Sequence, residues 1–446
     1  MSSTETRFGL LPGAGAGFGD YAHAALVLLT FALFASENLV HYPVALMGLC
    51  GLVFMVRRVP PPNAAAVRPL LVLFGCVWIP MLVALVDAVE PRHATKTVLL
   101  YLHFLPAAWY LVCVCTRPAV HRLVAQGVVA LVIFVGLDAF VQLIWHVDLF
   151  GYPYDGQVLK GVFHPKQRLG LFLAVFAPLV LEIVRHWCRD FPRLWLLHVP
   201  LAIVILMSLK RSAWLMLVVG VGGYLVLLAN GSRGPRRGPR WWHGALVVIV
   251  VAGAIAFNPA LRQQLARSAD VVSGDIAAID RATSYRVTLW RTGSAMFLDN
   301  WLNGVGPRGY RHAYPAHAAP DDFWMARNDG EGQTHPHLLV LEVAAESGII
   351  GLAGLLGFYV VLTTLAWRVR AAPLAPLWLL CALVAWFPLN AHLAFYGSYW
   401  ATLAWLLLGM GLSVLPPGTV RGGPARAGDD ARAKRERANG ERDRAR

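Results

Sequence analysis

Charge is scarce in this chain. Asp, Glu, Lys and Arg make up only 14% of its 446 residues, and the acids are the minority, 25 against 39 basic residues. A soluble protein carries about 25% charged residues. With 57% hydrophobic residues and a mean hydropathy of +0.55, this chain has the bilayer as its solvent, and little room remains for a separate soluble domain. Cysteine is scarce too. The six (Cys50, Cys76, Cys113, Cys115, Cys188 and Cys381) lie in or beside apolar segments. Neither a disulfide framework nor a zinc site is implied, and the C-x-C at Cys113 and Cys115 has no second pair. Although the net charge is +14, the basic residues are not gathered on one element with interleaved aromatics, which excludes a nucleic-acid surface.

What the chain has in quantity is apolar runs of about 20 residues, the length of a spanning helix. They predict an all-α integral membrane protein of about twelve spans: 22–37, 42–56, 69–88, 98–115, 121–147, 169–185, 194–209, 212–229, 243–258, 338–367, 374–392 and 397–415. Only Arg7 precedes the first run and no cleavage site follows it, so it reads as a retained helix. Alternate loops carry Arg57, Arg58 and Arg68, then Arg117 and Arg122, then Arg185, Arg189 and Arg193, then Arg233 to Arg240, then Arg368 and Arg370. By the positive-inside rule these face the cytoplasm together with both termini. The expected organisation is a cytoplasmic N-terminus (1–21), nine spans (22–258), a long periplasmic loop (259–336), three spans (337–415) and a basic disordered cytoplasmic tail (416–446). Long loops on a rigid scaffold are where function concentrates. This one is expected to hold an amphipathic helix over 283–298 and a glycine turn at Gly304-Val305-Gly306-Pro307.

On the expected outer side, several cations sit at helix ends. Lys160, Lys166 and Arg168 precede the sixth span, Lys210 and Arg211 occupy a tight turn, Arg286 and Arg291 lie on the amphipathic helix, and Arg308 and Arg311 follow the glycine turn. A cation on the translocated side of a tight hairpin works against the topology signal. A phosphate-bearing lipid would offset that, through bidentate Arg and point-charge Lys; snorkelling to headgroups is the competing reading. His337 closes the loop in Thr334-His335-Pro336-His337-Leu338. It reads as an interfacial hydrogen-bonding residue, a catalytic base or, with His335, a metal ligand, although Pro336 and the lack of a third ligand speak against metal. Asp-x-Asp, with which many sugar transferases hold a divalent ion beside a diphosphate, is missing from the chain. Diphosphate chemistry here would therefore rest on Arg and Lys.

The stretch His337-Leu338, nine residues, Gly348-Ile349-Ile350-Gly351, with Glu346-Ser347 before the first glycine, resembles the periplasmic motif of the O-antigen ligases and O-antigen polymerases. Gly161-Val-Phe-His-Pro-Lys-Gln-Arg-Leu-Gly170, Arg211-Ser212-Ala213-Trp214, and Arg286 to Trp290 followed by Gly304-Val305-Gly306 are similar to further patterns of that superfamily. The sequence departs from the ligases at Leu338 and Leu352, where a small polar residue and a threonine are usual. The resemblance implies a GT-C-like glycosyltransferase of the bacterial inner membrane with a periplasmic active site and no cofactor. It implies a donor, O-antigen on undecaprenyl diphosphate, and an acceptor, a sugar hydroxyl of lipid A-core. In that reading His337 is the general base of an inverting, metal-independent transfer. Arg211, Arg286, Arg291, Lys210, Arg168, Lys166 and Lys160 hold the diphosphate, and Arg308 and His335 assist. A polymerase using the same donor and a twelve-helix lipid or glycan transporter are the alternatives.

Overall fold

A computed structural model describes residues 16–231, 283–390 and 393–416, with isolated positions between 253 and 280. The described residues form helices and no strand. Nine come first: α1 (Phe18–Ala32), α2 (His41–Val56), α3 (Val67–Val83), α4 (Pro91–Tyr101), α5 (Phe104–Val114), α6 (Pro118–Trp145), α7 (Leu169–Trp187), α8 (His198–Met207) and α9 (Arg211–Asn230). After the gap come α10 (Arg286–Asp299), α11 (Tyr310–His317), α12 (Phe323–Arg327), α13 (Leu339–Arg368), α14 (Ala375–Ala385) and α15 (Ser398–Ser413).

Seven stretches are long and apolar enough to cross a bilayer: Phe18–Ala35, Ala64–Val83, Pro91–Val114, Pro118–Trp145, Leu169–Trp187, Arg211–Asn230 and Leu339–Arg368. His41–Val56, Pro192–Met207 and Ala375–Ala385 are apolar but shorter. The chain is a multi-pass membrane protein. The expected spans on described residues overlap helices, although 98–115 falls on the end of α4 and on α5 and 374–392 runs past α14; the ninth, 243–258, lies almost wholly outside the described residues, as do residues 1–15 and the tail beyond 416.

Burial sorts the helices. All of α14 but Leu383, and all of α15 but Ser398 and Tyr399, are buried, as befits helices apolar on every side at the centre of a bundle. Trp378, Trp386, Trp400 and Trp405 fill that centre, and the indole N–H of Trp400 donates to the Ala385 carbonyl at 2.8 Å. The outer helices instead expose apolar side chains such as Leu46, Leu49, Ile79, Val218 and Leu356, a surface fit for lipid.

Long-range contacts define two ends. At one, Arg117 pairs with Asp20 at 3.1 Å, and the Asn63 amide donates to the Leu415 carbonyl at 2.8 Å. At the other, the Val89 N–H donates to the Val305 carbonyl at 3.0 Å, Leu159 N–H to Met207 at 3.2 Å and Leu339 N–H to Asn390 at 3.1 Å. The segment 283–336 belongs to this second end. Its expected helix is α10, and α11 and α12 are additions that the sequence reading lacked. Both are short, and Pro315 inside α11 disguises it as a turn. The three share a small core of their own, with Leu289, Met296, Tyr310 and Tyr314 against Val305 and Ala345. The Tyr310 hydroxyl donates to the Leu289 carbonyl and the Tyr314 hydroxyl to Asp322, both at 2.9 Å.

Candidate active site

The second end is organised around a broken helix. Within α13, Gly348 takes φ 61° and ψ −156°, which interrupts the helical hydrogen bonds on either side. Backbone groups released inside an apolar span must find partners within the protein. The turn after α10 supplies them. The N–H groups of Val305 and Gly306 donate to the carbonyls of Ala345 and Glu346 at 2.9 and 3.1 Å, and those of Ile349 and Ile350 donate to Trp301 and Leu302 at 2.8 and 3.3 Å. Backbone lies on backbone, so both sides require glycine. A Cβ on Gly304 would stand 2.4 Å from the Glu346 carbonyl carbon, and one on Gly348 2.4 Å from that of Leu302. Gly304-Val305-Gly306 and Glu346 to Gly351, two motifs far apart in the chain, are the two halves of one joint.

That joint sets the register of α10 along α13. Gly293 lies against Leu341, and Trp301 bonds Ile349 the same distance further along both helices, so the two run parallel. Arg286, at the head of α10, is thereby level with the residues that precede α13. His337 stands among those residues, with φ 51° in the left-handed region. A non-glycine residue is held there only where its surroundings fix it, and such strain gathers at functional sites. The His335 ring lies 4.0 Å from the His337 ring, and the Thr334 hydroxyl is 2.9 Å from His335 Nδ1.

A second link runs through the segment Gly161–Gly170. Its Gly161 N–H donates to Gln142 Oε1 on α6 at 2.8 Å, and Leu159 just before it bonds Met207 at the end of α8. This seats the segment beside the turn that carries Lys210 and Arg211. Burial, and then the charge of Arg286, pull the Lys210 ammonium down to about 8. Burial, and then the charge of Arg211, pull Arg286 down to about 10. Lys210, Arg211 and Arg286 thus form one crowded cationic cluster.

The remaining expected cations are placed differently. Lys160 bonds Asp155 at 2.8 Å, and that bond is the chief reason the Asp155 carboxyl is held down to about 2. Lys166 Nζ lies 3.9 Å from Glu37 and is 60% exposed. Arg168 donates to the same Glu37 and lays its guanidinium over the Tyr399 ring, 4.1 Å from the centroid. Arg291 is exposed. Arg308 stands with Arg311, whose guanidinium is pulled down by burial and then by Arg308.

Sequence reasoning passed over Glu342 and named Glu346 only as part of the glycine motif, without a role. Both are buried, one helical turn apart on α13. Glu346 accepts the backbone N–H groups of Arg308 at 2.6 Å and Tyr310 at 3.3 Å, so it anchors the glycine turn. Glu342 accepts the Tyr396 N–H at 3.4 Å, and the Tyr396 hydroxyl meets Ser347 at 2.8 Å. The available signal was a pair of acids four apart inside an apolar run, which is functional until shown otherwise. The same end holds a cavity of about 380 Å³, walled by Glu37, His93, Arg168, Arg308, His335 and Tyr399 among others. That volume lies within the ~300–1,000 Å³ range of small-molecule sites.

Chemically, this end of the bundle offers a dense positive cluster, an imidazole held in a strained turn, and a cavity of mixed polar and apolar lining next to it. No curated protein matches the chain. Residues 196–356 match the family model described as O-antigen ligase, a region that takes in Lys210, Arg211, Arg286, Arg308, His337 and both halves of the glycine joint but not Arg168 or Tyr399. That match supports a place for the chain in the O-antigen ligase and polymerase superfamily.

Proposed function

We propose that the protein is an O-antigen ligase of the bacterial inner membrane, working on its periplasmic face. It transfers O-antigen polysaccharide from undecaprenyl diphosphate to a sugar hydroxyl of lipid A-core. The observation that carries this reading is the Lys210, Arg211 and Arg286 cluster, at the level along α13 of the segment that holds His337. Burial and like charge both disfavour the protonated forms of Lys210 and Arg286. A diphosphate placed among them reverses that balance, so the site favours the charge that develops on the leaving group.

In the transfer, the acceptor oxygen attacks the anomeric carbon opposite the diphosphate. The carbon–oxygen bond to the diphosphate breaks, its electron pair stays on the diphosphate, and the acceptor proton passes to a His337 ring nitrogen. One displacement inverts the anomeric centre. General-base help of this kind contributes about 10² to 10⁴ in rate. The cations do the work a divalent ion does elsewhere, so the reaction is metal-independent, and full activity in EDTA is expected.

The test is deletion of the gene followed by examination of lipopolysaccharide and lipid-linked glycan. A ligase mutant shows bare core with long lipid-linked chains accumulated. Core capped by a single repeat would make the protein a polymerase, and neither pattern would make it a transporter.

A further inference from the structure

The cavity beside His335 does not contain the Lys210 cluster, and its walls have a chemistry of their own. Tyr399, Ser398, Thr97 and His93 offer a ring face, hydroxyls and imidazole, the mixture suited to a sugar ring. Two cations, Arg168 and Arg308, face one carboxylate, Glu37. With the histidines neutral, the walls keep one positive charge in excess.

Arg168 is held but not used up. Its Nη2 donates to Glu37, its flat face stacks on Tyr399, and its side chain is only 14% exposed. Its Nη1 is buried and makes no hydrogen bond among the described residues. A buried donor left without a partner costs about 1–3 kcal/mol, more on a charged group. Arg185, in contrast, gives both Nε and Nη2 to Glu182. Arg168 lines the cavity, and a guanidinium fixed by a carboxylate and a ring face is prearranged for an anion there.

We propose that this cavity is a subsite for an anionic sugar, one bearing a carboxylate or a phosphate, and that Arg168 reads the negative charge with Arg308 as its second cation. On the ligase reading, on which this assignment rests, the sugar belongs to the acceptor, and its ring lies against Tyr399 with its hydroxyls towards His335 and His337. Specificity for an acidic acceptor is then a property of this cavity and not of the diphosphate cluster.

The test is calorimetric titration of the full-length protein in nanodiscs of zwitterionic lipid, without donor, using galacturonic acid, galactose 6-phosphate, galactose and inorganic phosphate. One of the two anionic sugars is expected to bind at least tenfold more tightly than galactose and than inorganic phosphate, and which one does so distinguishes carboxylate from phosphate. Arg168→Gln should abolish that preference. Arg308→Gln, which leaves Arg168 on Glu37 and Tyr399, should weaken it severalfold, so the result does not depend on one variant folding. Galactose or inorganic phosphate binding as tightly as the anionic sugars would overturn the proposal, as would a preference that survives both substitutions. Because no donor is present, a failure of the transfer reaction leaves this titration untouched, and the two readings fail separately.

Discussion

Two half-buried arginines at opposite ends of the bundle are met by their surroundings in different ways. Arg185 gives Nε and Nη2 to Glu182 at 2.9 and 2.8 Å, and the Tyr224 hydroxyl donates to the same carboxylate at 2.9 Å. Its charge is met inside the chain. Arg286 is pulled down from its ordinary value by burial and by Arg211, and the Lys210 ammonium is pulled down by burial and by Arg286. Composition does not separate the two. The difference lies in the neighbours: a carboxylate and a hydroxyl for Arg185, and other cations for Arg286 and Lys210.

The largest effect that sharpens this contrast is on turnover. His337→Ala should lower kcat about 10²- to 10⁴-fold while leaving donor affinity in place, since a base acts in the transition state and the cations hold the ground state. His337→Arg separates the roles: near-wild-type transfer by that variant would make His337 a diphosphate ligand instead. The next effect is on stability. Arg185→Ala leaves Glu182 buried without its partner and should cost about 3–5 kcal/mol. Arg286→Ala should lose donor binding yet melt no lower than wild type, because it relieves crowding. Equal destabilisation by both substitutions, read from thermal denaturation in detergent, would erase the distinction between the two ends.

A smaller effect follows from Lys210. Its ammonium is charged below about 8, so the donor loses a cation as pH rises through that value, and the donor KM should rise severalfold between about pH 7 and 9. Lys210→Arg should flatten that rise. The stability of the empty protein moves the other way. A lysine whose folded value lies below its ordinary 10.5 burdens the fold while protonated, and the burden fades as pH climbs from about 8 towards 10.5. A donor KM independent of pH across this interval would remove Lys210 from the site. The smallest effect is expected at Arg291, which is exposed. Arg291→Ala should change transfer less than about twofold, as do most surface substitutions.

Hydropathy, the alternation of arginine loops and the spacing of a few motifs are local properties, and the sequence by itself determined what depends on them. The described helices, the helix at Arg286 and the turns at Gly304 and Gly348 were legible. Pairing is not local. That Glu37 takes up Arg168, that Glu346 anchors the turn before Tyr310, and that Lys210 meets Arg286 depend on which helix ends come together. Only the tertiary structure decided that, because a bilayer span is chosen by the summed transfer energy of its own residues, whereas the counter-charge of a buried cation comes from wherever the packed bundle brings it.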